Sequence, residues 1–105
     1  MKTTANFNEF SNICKNIAAE LDTIVKIKNY ENYGFAQVSF MTDNFGGTYA
    51  IFKFDHKTKE VKWYEFGNEK TISDEHQLRM FIKLNLNKML EERDLDEIYN
   101  KINAE

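Results

Sequence analysis

The sequence predicts an α+β domain of two layers: a four-stranded antiparallel meander flanked by an amino-terminal helix and a long carboxyl-terminal helix. Three observations carry this. Residues 35–66 hold three successive runs that alternate in the strand period. The links between the strands are too short for the crossovers that parallel neighbours need. The segments on either side show helical spacing instead, and strands in one run with helices at both ends point to layers of separate kind.

The first helix is expected over about Asn6 to Asp22. Phe7, Phe10, Ile13, Cys14, Ile17 and Leu21 recur at steps of three and four, giving one apolar stripe. Thr3, Thr4 or Asn6 are the candidate caps. Strand one spans about Thr23 to Asn29, where Val25 and Ile27 alternate with Lys26 and Lys28. A turn through Gly34 leads to strand two, Phe35 to Thr42, and the segment Asp43 to Gly47 turns the chain again. Strand three, Thr48 to Asp55, and strand four, Glu60 to Phe66, are joined by a polar hairpin loop. Gly67 to Lys70 is read as the end of the sheet. The last helix starts at Ser73 or Asp74, and Asp74 with Gln77 has the spacing of a capping box. Leu78, Phe81, Ile82, Leu86, Met89 and Leu90 trace its apolar face, and the run beginning at Asp94 offers a second start, leaving one helix or two open.

Strict alternation sorts the sheet residues into two faces. Ala36, Val38, Phe40, Ala50, Phe52, Phe54, Val61 and Trp63 form the face expected to meet the helices, if the strands align in register. Tyr49, Ile51, Lys53, Lys62, Tyr64 and Phe35 fall on the other. Antiparallel sheets usually pack one face and wet the other. The second face here is also partly apolar, so a helix, a second copy or a partner is expected to cover it.

Composition bounds the function. The 105 residues suit one domain, 42% hydrophobic and 30% charged, which is too apolar for a disordered chain. A net charge of -3 argues against a protein that lives on nucleic acid or anionic lipid. The start of the chain lacks an apolar run of signal-peptide length and nothing approaches a membrane span, so a cytoplasmic setting is expected. Cys14, the single cysteine, is read as a buried, inert thiol.

No catalytic constellation emerges. His56 and His76 share no ligand spacing, no cysteine set completes a zinc site, and neither a cofactor nor a metal is expected. Both histidines are read as solvated. Glu65, inside an apolar strand, is the one acid whose setting invites a raised pKa, but the end of an edge strand explains it as well. Gly46 and Gly47 lie between strands, where they make a turn and no phosphate cradle. No motif is specific enough to name a family.

The resulting expectation is a small, non-catalytic protein-interaction module. Its expected surface is Tyr49, Ile51, Lys53, Lys62 and Tyr64, with the acidic last helix around Asp94, Asp96 and Glu97 as a second site. Residues 91–105 carry six acids against Arg93 and Lys101, a balance of -4, while the rest of the chain sums to +1. Twelve lysines against two arginines, with many Asn, Ile, Phe and Tyr, match an AT-rich coding sequence. On that basis an inhibitor of a host defence protein, encoded by a phage or mobile element, is the specific form expected. A homodimer through the second sheet face is a further expectation. The alternative is a nucleic-acid-binding regulator that uses the same face, because lysines interleaved with aromatics can stack and neutralise single strands.

Overall fold

A computed structural model describes residues 6–42, 47–65 and 67–104. The chain runs α1 (Phe7–Glu20), β1 (Ile24–Tyr30), a short 3-10 turn (Glu31–Tyr33), β2 (Phe35–Met41), β3 (Thr48–Asp55), β4 (Val61–Glu65), β5 (Asn68–Ile72) and α2 (Glu75–Ala104). All neighbouring strands are antiparallel, in the order β1-β2-β3-β4-β5.

The α+β meander between two helices is therefore present, with five strands in place of four. Asn68 to Ile72 continues the sheet where the sequence suggested a break. Its composition hides it, since Asn, Glu and Lys are poor strand formers. Three things compensate. Gly67 sits at φ 83, a left-handed value that glycine tolerates, and the pairing of Glu65 with Asn68 closes a tight hairpin. Ile72 is buried opposite Val61. The exposed polar residues then suit an edge strand, which charge protects from further pairing.

Helix α1 starts at Asn6, whose Oδ1 accepts from the Glu9 backbone N–H at 2.9 Å. The alternative caps Thr3 and Thr4 lie outside the described residues. Helix α2 starts at Asp74, whose Oδ1 accepts from Gln77 N–H at 2.7 Å. The return arm of the capping box reaches one residue further back: Ser73 N–H and its hydroxyl both donate to Gln77 Oε1 at 2.7 Å. Past Arg93 the helix continues without interruption to Ala104, so the second capping-box spacing at Asp94 starts nothing.

Both helices pack on one face of the sheet. The register pairs Ala36 with Phe54, Val38 with Phe52, Phe40 with Ala50 and Phe52 with Trp63, which gathers the expected helix-facing residues. Phe10 of α1 stacks on Phe54 at 5.3 Å between ring centroids, and Phe81 of α2 meets Trp63 at 4.8 Å. Phe10, Phe40, Phe52, Phe54, Leu78 and Ile82 are fully enclosed. The Arg79 guanidinium ties the two helices together through two 3.2 Å bonds to the Glu20 carboxylate. Cys14 is buried, and burial pushes its thiol well above the ordinary range.

Candidate interaction surfaces

With both helices on one side, no helix among the described residues covers the other face of the sheet. Following the register, that face carries Lys26, Lys28 and Tyr30 from β1, Phe35 and Gln37 from β2, Ile51 and Lys53 from β3, Lys62 and Tyr64 from β4, and Glu69 from β5. Phe35, Ile51, Lys53, Lys62 and Tyr64 are half-buried. Phe35, Gln37, Ile51, Lys53 and Tyr64 line a shallow groove across the centre.

Local contacts hold this groove in shape. Tyr30 and Phe35 pack at 5.1 Å between ring centroids, and the Lys53 ammonium lies 4.5 Å from the centre of the Phe35 ring. Lys62 pairs with Glu69 at 3.5 Å across the last two strands. The Tyr64 hydroxyl donates to the Glu69 carboxylate, which holds the phenol proton and raises its pKa to about 12, burial adding to the shift. The same bond, with Lys62 nearby, lowers Glu69. Four lysines (26, 28, 53 and 62) against Glu69 and Asp55, which pairs with Phe35 at the end of β3, leave the face a balance of +2.

Of the residues assigned to this face from sequence, Ile51, Lys53, Lys62, Tyr64 and Phe35 are brought together and Tyr49 is not. Ala50 opposes Phe40 and Thr48 opposes Met41, so Tyr49 is an extra residue at a β-bulge. The bulge turns its side chain to the helix side, where it is 8% exposed. There its hydroxyl shares a 2.8 Å hydrogen bond with Thr23 Oγ1, and its ring lies 6.1 Å from that of Phe40. Burial raises its pKa, with the Thr23 bond acting against the shift. Conversely, Tyr30 and Lys28 belong to the open face and were missed; the alternation of β1 held the signal once its register with β2 was known.

The second surface lies on α2. Leu78, Ile82, Leu86 and Met89 face the sheet, and Arg93 marks the last tie to the body by donating to Thr42 Oγ1 at 3.0 Å. Beyond it, every residue whose side chain is described is exposed, including Leu95, Ile98, Tyr99 and Ile102. At about 3.6 residues per turn these four make one stripe, about two fifths of a turn away from the sheet-facing side. Asp94 and Asp96 flank it and Glu97 lies behind. The three acids thus share a helix end yet do not form one patch.

His56 is half-buried rather than solvated: its ring lies between Phe7 and Phe54, and its Nε2 is 2.7 Å from Asn29 Oδ1. His76 is exposed. The side chain of Glu65 and all of Asp43 and Gly46 lie outside the described residues. Strand β4 is internal, so Glu65 does not end an edge strand. Among the described residues no three His, Cys, Asp or Glu side chains gather as a metal site, and no helix is long and apolar enough to cross a membrane. A cleft between α2 and the ends of β3 and β4 is lined by Trp63, Asn85 and Glu92.

Compared with known proteins, the chain matches no protein family, no curated protein and no solved structure.

Proposed function

We propose that the protein is a non-catalytic interaction module whose docking surface is the open sheet face. One observation carries the reading: both helices lie on the opposite side, so Ile51, Tyr64 and Phe35 form a structured apolar groove that no described element covers. Exposed apolar patches set among polar residues typically serve association. Internal contacts fix the shape of the groove in advance, which lowers the cost of binding.

Binding of single-stranded nucleic acid is the weaker reading. Lys53 is drawn over Phe35 and Lys62 is paired with Glu69, so the two central lysines already have partners. Phosphate binding relies on free cations that release counterions. An inhibitor that occupies a site on a larger host protein is the specific form that composition favours.

Tagged protein retained on a resin and exposed to a lysate of its source cells, with and without nuclease, tests the reading. A near-stoichiometric protein is expected to survive nuclease and to be lost with Tyr64→Ala, whose phenol lies on the groove. Recovery of nucleic acid alone, abolished by Lys53→Glu with Lys62→Glu, overturns it in favour of the regulator.

A further inference from the structure

The apolar stripe of α2 does not begin at its projecting end. Leu84, Lys88, Glu91, Leu95, Ile98 and Ile102 follow one another at alternating steps of four and three, the spacing of a coiled-coil seam. All six are exposed, and no described element covers the apolar ones. We propose that this line is the contact between two copies of the chain, whose α2 helices pair antiparallel about a two-fold axis between Met89 and Leu90. The open sheet face takes no part in it, so the proposal goes beyond the docking reading above and does not rest on it.

Charge selects the direction and the register. Parallel helices would set Lys88 on Lys88 and Glu91 on Glu91. Turned about the proposed axis, Lys88 of each copy meets Glu91 of the other, and Leu84 meets Leu95. Sliding the pair by one heptad would set Lys88 against Ile98 and Glu91 against Leu95, leaving both charges on apolar partners. The two halves of the helix agree. Residues 75–90 carry Arg79, Lys83 and Lys88 against Glu75, a balance of +2, while residues 91–104 carry five acids against Arg93 and Lys101, a balance of -3. The antiparallel pair lays the basic half of each helix along the acidic half of the other.

Shape and position fit as well. Met80, Phe81, Lys83, Leu84 and Asn87 line a hollow on the outer side of α2. Four of them, Met80, Lys83, Leu84 and Asn87, have the spacing of the hole that takes one knob of a facing helix. In the antiparallel pair this hollow lies opposite Leu95 and Ile98 of the second copy. Leu78 and Ile82 on the sheet, and Arg79 on Glu20 of α1, all belong to the half of the helix turned away from the seam. Two copies can therefore stack as sheet, helices, helices, sheet, with both open sheet faces outward. The axis bisects the 30-residue helix, so contact can run along about 45 Å at 1.5 Å per residue. The two-fold makes every contact twice. The projecting end of each α2 then lies along the half of the other that is fixed to its own sheet.

Sedimentation equilibrium of the full chain and its variants tests the seam. Every substitution lies at an exposed position and introduces a good helix former, so the fold is kept. The unsubstituted chain is expected to dimerise. Leu95→Ala with Ile98→Ala removes apolar contacts and is expected to dissociate at least ~30-fold more readily. Lys88→Glu and Glu91→Lys each put like charges into the central layer, and each is expected to dissociate at least ~10-fold more readily. Lys88→Glu combined with Glu91→Lys restores opposite charges across the axis and is expected to recover the dimer. Single charge variants that dimerise as well as the unsubstituted chain overturn the proposal in favour of parallel helices or of contact through the sheet face. A combined variant no better than either single one overturns the Lys88 to Glu91 register. A chain that stays monomeric overturns the proposal outright.

Discussion

Ile51 and Phe52 are neighbours in β3, both large and apolar, and they belong to different regions. Phe52 points into the layer between sheet and helices, where Phe40 meets its ring edge-on at 5.8 Å and no water reaches it. Ile51 points into a groove bounded only by its own sheet. Helix α2 repeats the contrast along its length: Leu78 and Ile82 are enclosed, while Leu95 and Ile98 are 66% and 56% exposed. In this chain, apolar character marks both what holds the fold and what remains available to a partner. Only the position of a covering element tells them apart.

Four measurements test how far the covered and uncovered regions differ. The largest effect is expected from Phe52→Ala, which should lower the free energy of unfolding by about 3–5 kcal/mol in urea titration. Ile51→Ala should lower it by about 1 kcal/mol or less in the isolated chain. Equal losses would mean that the second face is also covered.

Next, Leu78→Ala should cost about 2–5 kcal/mol, whereas Leu95→Ala, measured at concentrations too low for association, should stay within about 0.5 kcal/mol. A large loss at Leu95 would place the end of α2 against its own body.

The two tyrosines of the expected surface make a finer comparison. Tyr49→Phe removes the bond to Thr23 from a nearly enclosed site and should cost about 1 kcal/mol. Tyr64→Phe should change stability by no more than about 0.5 kcal/mol, because water can replace the lost hydroxyl as donor to the exposed Glu69 carboxylate.

The smallest effect is in pH dependence. Spectroscopic titration should show one phenol, that of Tyr64, titrating near 12, and Glu69→Gln should bring it back toward its ordinary value of 10. The sign follows from linkage: with the folded pKa raised, its stabilisation is complete below about 10 and disappears as pH climbs through about 12. The side chain is half-buried and its partner Glu69 is exposed, so solvent screening keeps the change in stability slight even where the titration is clear. A Tyr64 that titrates at its ordinary value would remove the bond to Glu69 from the groove.

Much of this was legible in the chain. The stripe of α1, the three central strands and the cap at Asp74 all rest on short-range rules, in which spacing and a few polar side chains settle the local geometry. Strand β5 was not legible, because its polar residues are held by partners on β4 rather than by their own propensity. Tyr49 was misplaced because one extra residue at the bulge turns its side chain to the other side, and alternation cannot register a bulge. For the second surface, the -4 balance of residues 91–105 was plain, but the exposure of Leu95, Ile98 and Ile102 was not. Apolar spacing on a helix has the same form whether or not anything packs against it.

Local patterns in the chain were enough for the type of every element but β5, for the alternation that gives the sheet two distinct faces, and for the acidic balance of residues 91–105. These depend on residues a few positions apart. The tertiary structure alone decided that both helices lie on one side, that Tyr49 is core and Tyr64 surface, and that α2 outruns the sheet it covers. Those outcomes depend on register and on which layer each element enters. Both are set by contacts between residues far apart in the chain, whose geometry no local pattern encodes.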